Sequence, residues 1–455
     1  MIFSSKSARV LAAATMAATV TTCVGQATPV HATTSPSTAV TIAAAVAQEI
    51  PDTPAGAQLG WLLEAATRPP VPESELTEHF AAAFLQSVPP ATLNEVLTAF
   101  KDMRLERVTQ SQDSALSALV VAGGKTYELL LSVDGAGLIG GLQFREPAVP
   151  APTPKSWAEL EERLSKVAPQ ASFLAAEVTR GGDCRPVRAV ARDRAQPLGS
   201  MFKLYVLGAV AQRIKSGAFG WDTELTIRPE LKSLPSGELQ DRPDNSKVTV
   251  LEAAKLMISI SDNTATDLLI HKVGRKTVER TMRSWGGHDE RNVPFLTTRE
   301  LFVLKGAGYP RHAERYLSMS TARQRAYLEK VVAKVPRSEI TPWSEPRALD
   351  TLEWFGSPTD VCQVYSGLAK LRDPRVGEVL SINDAGLGLN KDQWPTVWFK
   401  GGSEPGVLDM SHLARTPDGR TYVVTAMALN PDTDFGPQTG QELLALIRGA
   451  FTLVR

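Results

Sequence analysis

From Ala148 to Pro154 the chain reads Ala-Val-Pro-Ala-Pro-Thr-Pro, with prolines at alternate positions 150, 152 and 154. Proline has no amide hydrogen and pushes the residue before it out of the helical region, so such a run continues neither a helix nor an interior strand. Residues 148–155 therefore read as a stiff linker, and the chain must fold as separate bodies on either side of it. With 455 residues, 43% of them hydrophobic and 22% charged, there is enough apolar material for two or three cores. Disorder and fibrous repeats are excluded for most of the chain.

The first thirty-two residues read as an export signal. Lys6 and Arg9 supply a positive start, Val10 to Val20 is an apolar run too short to span a bilayer, and Val30-His31-Ala32 is a small-residue cleavage pattern. A secreted protein is expected, with no membrane span after the signal. Lipidation at Cys23, after Val20-Thr21-Thr22, is the alternative. Basic and acidic residues balance at 49 each and no local basic patch stands out, so the expected partner is a small molecule and not nucleic acid. Three cysteines, Cys23, Cys184 and Cys362, suffice for neither a disulfide framework nor a four-thiolate zinc site, and no metal or cofactor is expected. Cys362 lies in an apolar helical pattern with Val361 and Val364, which favours two free, buried thiols at Cys184 and Cys362.

Residues 45–147 change periodicity midway. Leu59, Leu62, Leu63 and Ala66, then Phe80, Phe84 and Leu85, then Leu93, Val96, Leu97 and Phe100 follow helical spacing. From Arg104 the alternation is that of strands separated by Gly123-Gly124 and Asp134-Gly135, so a small α+β domain with an antiparallel meander is expected. Gly135 to Gly140 imitates a dinucleotide fingerprint, but a strand follows it where a helix is required, so it reads as a hairpin turn. Glu78 and His79 are adjacent and cannot share a helix face, and no catalytic arrangement emerges here. His288-Asp289-Glu290 lacks the downstream cysteines of a zinc deaminase and reads as a solvated loop.

Residues 156–455 begin with a helix, Trp157 to Val167, and a strand, Phe173 to Val178. They end with strands at Thr396–Lys400, Val407–His412 and Thr421–Leu429 and a helix at Gln441–Phe451. One antiparallel sheet flanked by helices fits this order. Three constellations punctuate it. In Ser200-Met201-Phe202-Lys203 the i,i+3 spacing at a helix start puts an amine beside a hydroxyl. A desolvated lysine there can act as the base that makes serine nucleophilic. In Ser261-Asp262-Asn263, Ser261 can relay a proton and Asn263 can orient the lysine or bind a substrate amide. In Phe399-Lys400-Gly401-Gly402-Ser403-Glu404, a strand delivers a cation and then two residues without side chains. Lys400 can hold a carboxylate, Gly402 lets substrate backbone approach, and the Ser403 N–H can join that of Ser200 as an oxyanion hole.

The order S-x-x-K, S-D-N, K-x-G resembles the class A β-lactamase and penicillin-binding-protein superfamily. The resemblance spans about 156–455 and implies a serine β-lactamase-like fold, with Ser200, Lys203 and Ser261 catalytic and Asn263, Lys400, Gly402 and Ser403 binding substrate. Two departures stand out. Gly401 replaces the usual Thr or Ser, and no E-x-x-L-N segment supplies a deacylating glutamate; Glu314-Arg315-Tyr316-Leu317-Ser318 lies too far downstream and reads as a surface helix. The interval from Ser261 to Lys400 is long for the family, with the excess around Phe295 to Trp354. Together with the front domain, the linker and Ser233-Leu234-Pro235-Ser236-Gly237-Glu238-Leu239, this resembles the two-domain actinobacterial hydrolases related to the cephalosporin esterase of the clavulanic acid cluster. Their front domain resembles a steroid isomerase or cyclase fold. The resemblance implies an acyl-enzyme hydrolase of esters or β-lactams. A D,D-peptidase-like cell-wall enzyme and a β-lactam-binding protein that stays acylated are the alternatives.

Overall fold

The computed structural model describes residues 50–111, 114–234 and 236–455. The export segment expected at 1–32, with Cys23, lies outside the described residues. The chain divides into two compact units between Pro147 and Ala148.

In the first unit, helices α1 (Pro54–Ala65), α2 (Glu73–His79), α3 (Ala82–Ser87) and α4 (Pro90–Ala99) precede strands β1 (Arg104–Ser111), β2 (Ala115–Ala122), β3 (Lys125–Val133) and β4 (Ile139–Arg145). The strands form an antiparallel meander in sequence order. Ala122 pairs with Lys125 across Gly123-Gly124, both at positive φ, the backbone that a two-residue hairpin turn requires. Leu116, Ala118 and Val120 on β2 and Leu129, Leu131 and Val133 on β3 alternate inward, against Leu59, Leu62, Leu76, Phe80, Leu93 and Leu97. The Asp134 carboxylate accepts the amides of Ala136 and Leu138, so the glycine-rich Gly135–Gly140 segment is a turn into β4, as its context predicts.

The second unit is built on a five-stranded antiparallel sheet. Its strands are β5 (Gln170–Val178), β6 (Cys184–Val190), β7 (Thr396–Glu404), β8 (Val407–Arg415) and β9 (Thr421–Leu429), in the order β7-β8-β9-β5-β6. Every residue of β9 is buried, as expected for a central strand covered on both faces. On one face, Phe173, Ala175, Val424 and Ala426 meet Leu160 and Leu164 of α5 (Trp157–Val167) and Leu443 and Ile447 of the C-terminal helix Pro437–Leu453. On the other, Leu174, Val423 and Met427 meet the helical region. At its centre runs α6 (Lys203–Lys215), buried continuously from Lys203 to Ala211, the pattern of a helix surrounded by protein. Around it lie α7 (Val250–Ser259), α8 (Asn263–Val273), α9 (Arg275–Ser284), α10 (Thr298–Gly306), α11 (Arg311–Leu317), α12 (Thr321–Lys330) and α13 (Pro358–Leu371). Ser357 and Asp360 close a reciprocal cap on α13.

Two expectations are corrected. Cys184 and Cys362 are not free thiols but a disulfide, with Cα atoms 6.2 Å apart. Cys362 is indeed buried on α13. What its helical pattern did not reveal is that β6 is an edge strand of the same sheet, and that the Thr179–Asp183 turn sets Cys184 against the helix. Second, Ser200 does not open an α-helix. It lies in the 3₁₀ turn Gly199–Phe202, and the α-helix starts at Lys203.

The bridge closes an interval of 178 residues that contains most of the helical region. Closing so long a loop restricts the unfolded chain, and the paired change Cys184→Ser/Cys362→Ser is expected to lower stability by about 2–5 kcal/mol in denaturant titration. Alkylation without reductant followed by mass spectrometry checks the bond directly: the unmodified protein stays two hydrogens lighter than the reduced chain.

Candidate functional site

Three sequence-distant segments converge where α6 begins. Lys203, with no exposed surface, extends its Nζ to the Ser261 carbonyl at 2.7 Å, the Ser261 Oγ at 3.0 Å and the Asn263 Oδ1 at 2.7 Å. From the other side Lys400 Nζ reaches the same Ser261 Oγ at 3.2 Å and the Gly401 carbonyl at 2.7 Å. One serine hydroxyl thus lies between two buried amines. Burial, then the neighbouring Lys400, holds Lys203 well below the ordinary lysine range, while Asp262 and Asp267 pull weakly the other way. Burial alone lowers Lys400 to about 7. A neutral Lys203 can accept a proton. Among the described residues no hydrogen bond engages the Ser200 hydroxyl, one turn earlier.

The acceptors are aimed by a constrained junction between α7 and α8. Ser261 sits at φ +60°, a left-handed backbone that a serine adopts only when its surroundings impose it. Asp262 caps α8 by accepting the Ala265 amide at 2.7 Å, and its second oxygen accepts the amides of Glu238 and Leu239. The Ser233–Leu239 segment supplies the rest. Asn263 Nδ2 donates to the Leu234 carbonyl at 2.8 Å, and Ser236 Oγ donates to the Ser261 carbonyl at 2.8 Å. Asp267, fully buried and pushed up to about 7 by that burial, accepts the Thr298 and Arg299 amides at the start of α10.

The strand β7 closes the other wall. A methyl group on Gly402 would come within 2.9 Å of the Ser200 amide nitrogen, and one on Gly199 within 2.8 Å of the Ser403 amide nitrogen. The turn and the strand therefore meet backbone to backbone, and Ser200 N and Ser403 N both lie along that contact. Gly402 is buried and Ser403 exposed, so the amide pair stands at the rim. All seven residues singled out by sequence, Ser200, Lys203, Ser261, Asn263, Lys400, Gly402 and Ser403, belong to this one locality. The expected surface helix around Glu314 is α11, with Glu314 exposed.

Sequence reasoning missed three contributors. Ser236 and the Leu234 carbonyl act on the S-D-N segment from 25 and 29 residues away, and only the resemblance drew attention to their segment. A third, the buried cluster of Lys305, Glu353 and Glu404, left no sequence signal, since its members are scattered over 99 residues.

Residues 156–353 match the Beta-lactamase enzyme family, and residues 50–139 match the family described as ORF 12 gene product N-terminal. No curated protein matches the chain. Among solved structures, PBP-A is 20% identical, with 67% of this chain and 98% of that chain covered and a TM-score of 0.44. The β-lactamase from Sphaerobacter thermophilus DSM 20745 is 19% identical, with coverage of 66% and 97% and a TM-score of 0.46. An ancestral class A β-lactamase is 17% identical, with coverage of 66% and 99% and a TM-score of 0.46. The family match over 156–353 and the S-x-x-K, S-D-N and K-x-G segments gathered around Lys203 fall in the same unit, and this C-terminal unit is β-lactamase-like.

Proposed function

We propose that this protein is a secreted serine hydrolase that forms an acyl-enzyme at Ser200 and acts on esters and, more slowly, on β-lactams. The observation that carries the reading is the Lys203 amine, buried, depressed in basicity and bonded to Ser261 and Asn263 one turn from Ser200. Lys203 takes the Ser200 proton as the hydroxyl attacks the carbonyl, and the Ser200 and Ser403 amides stabilise the oxyanion. Ser261 passes the proton on to the leaving group. Lys400 anchors a substrate carboxylate, Asn263 orients Lys203 and meets a substrate amide, and Gly402 leaves room for the acyl chain.

The test is covalent labelling with a fluorescent penicillin. Ser200→Ala is expected to abolish the label, and persistence of labelling would end the acyl-enzyme reading. Lys203→Ala is expected to keep the fold and lose acylation. Slow loss of the label indicates turnover, whereas a permanent label indicates a binding protein that stays acylated.

Turnover should favour esters. An opened β-lactam keeps its amine in the site and crowds the approach of water, whereas the alcohol of a simple ester departs and leaves a side from which Lys203 and Ser261 can activate water. A chromogenic acetate is therefore expected to exceed a chromogenic cephalosporin in kcat/KM by at least about tenfold, ~1.4 kcal/mol.

The lysines set the pH response. Lys203 works neutral, so kcat/KM falls as pH drops through its lowered pKa, for any substrate. Lys400 binds a carboxylate as a cation and loses its proton as pH rises through about 7. For a carboxylate-bearing substrate KM is expected to climb above neutrality, and for an uncharged acetate it is not. Parallel KM profiles for the two substrates would remove Lys400 from the anchoring role.

A further inference from the structure

The cluster behind the rim amides consists of two carboxyl groups on one ammonium. Lys305, on α10 and without exposed surface, donates to Glu404 Oε1 at 2.6 Å and lies 3.6 Å from Glu353 Oε1. Glu353 Oε2 accepts the Trp354 amide at 3.0 Å. Glu404 Oε2 is buried and, among the described residues, has no hydrogen-bond partner. Among the described residues, Lys305 and Glu353 are the charged groups that face Glu404, and each lies on a different segment.

The cluster grips both sides of the approach between turn and strand. Glu404 is two residues beyond Gly402 on β7, so it shares a strand face with Gly402 and Lys400. On the opposite side, Trp354 accepts the Leu198 amide at 2.7 Å and stacks its ring on Phe202 with centroids 3.6 Å apart, so the residue after Glu353 fixes both ends of the Ser200 turn. Lys305 ties the strand bearing Ser403 N to the Glu353–Trp354 segment, which in turn holds the Ser200 turn. A second full negative charge in this dry place would be uncompensated, because one ammonium offsets only one carboxylate. One of the two carboxyls therefore keeps a proton. Burial raises Glu404 well above the carboxylate range against the pull of Lys305, with Glu353 alongside, so the pair retains its proton where a free carboxyl is ionised.

We propose that Glu404, in its protonated form, is a positioning residue that, through Lys305 and Glu353, holds the Ser403 N–H against the Ser200 turn. This rests on the acyl-enzyme reading above. Loss of the proton places an extra negative charge beside the amides that must receive an oxyanion, so acyl transfer declines at alkaline pH.

The experiment is the pH profile of kcat/KM on an uncharged chromogenic acetate, with the full-length protein. Wild type is expected to show an alkaline fall. Glu404→Gln, which mimics the neutral acid, should lose that fall, and Glu404→Ala should be about tenfold slower near neutrality. Lys305→Met removes the cation that eases ionisation and should move the fall to higher pH. A Glu404→Gln profile that overlays wild type overturns the proposal. So does a Glu404→Gln protein that acylates at Ser200 but no longer turns over, since Glu404 would then be a base. An infrared difference spectrum, wild type minus Glu404→Gln at neutral pH, reads the proton without substrate. A carboxylic-acid band supports the proposal and its absence overturns it, whether or not Ser200 takes the penicillin label.

Discussion

Almost everything about the C-terminal unit follows from placing the Lys203 amine where water does not reach it. Taking a charged ammonium out of water costs several kcal/mol unless a counter-charge compensates. Here the three atoms within hydrogen-bond distance are a carbonyl, a hydroxyl and an amide oxygen, none of them charged, and a second amine stands behind the hydroxyl. The surroundings favour the neutral amine, which is the form that serves as a base. Those oxygens must also be held still. Hence the left-handed Ser261, the doubly used Asp262 carboxylate and the Ser233–Leu239 segment, whose hydrogen bonds go largely to the residues that carry the acceptors.

The parts legible in the sequence were those with local causes. Period-two and helical patterns located β2, β3, β9 and α5 to within a few residues, because each buries one face or both against a single neighbour. The site segments were legible because chemistry restricts them: a hydroxyl three residues before an amine, or two glycines after a lysine. What escaped depends on residues distant in sequence. β6 is a charged edge strand containing Pro186, with little apolar alternation, and Cys184 could be paired with Cys362 only once that strand was placed. The Lys305 cluster is illegible for a related reason. A lysine or glutamate in sequence reads as surface, and only the fold shows these three to be inside.

The first unit contrasts with this. Among its described residues the buried polar side chain is Ser117, whose hydroxyl bonds to Thr109 at 2.8 Å, and the rest of the interior is aliphatic and aromatic. Its most polar constellation lies nearer the surface. Trp61 stacks on His79 with centroids 4.0 Å apart and donates to Glu75, while His79 shares a hydrogen bond with Gln58. These contacts join α1 to α2.

The same accounting bears on how an acyl-enzyme would be released. Among the described residues, four carboxyl groups around the site already have structural tasks. Asp262 caps α8 and holds the Glu238 and Leu239 amides, Asp267 caps α10, Glu404 is joined to Lys305, and Asp409, beside Gly402 on β8, accepts the Ala428 amide and is driven by burial toward its neutral form. A general base needs a free lone pair directed at water and a pKa near the working pH. In the acyl-enzyme reading proposed above, Lys203 with Ser261 is the pair that fills this part. On that proposal, deacylation through the amine would use the group that performs acylation, and the substrates best served would be those whose leaving group vacates its side of the site.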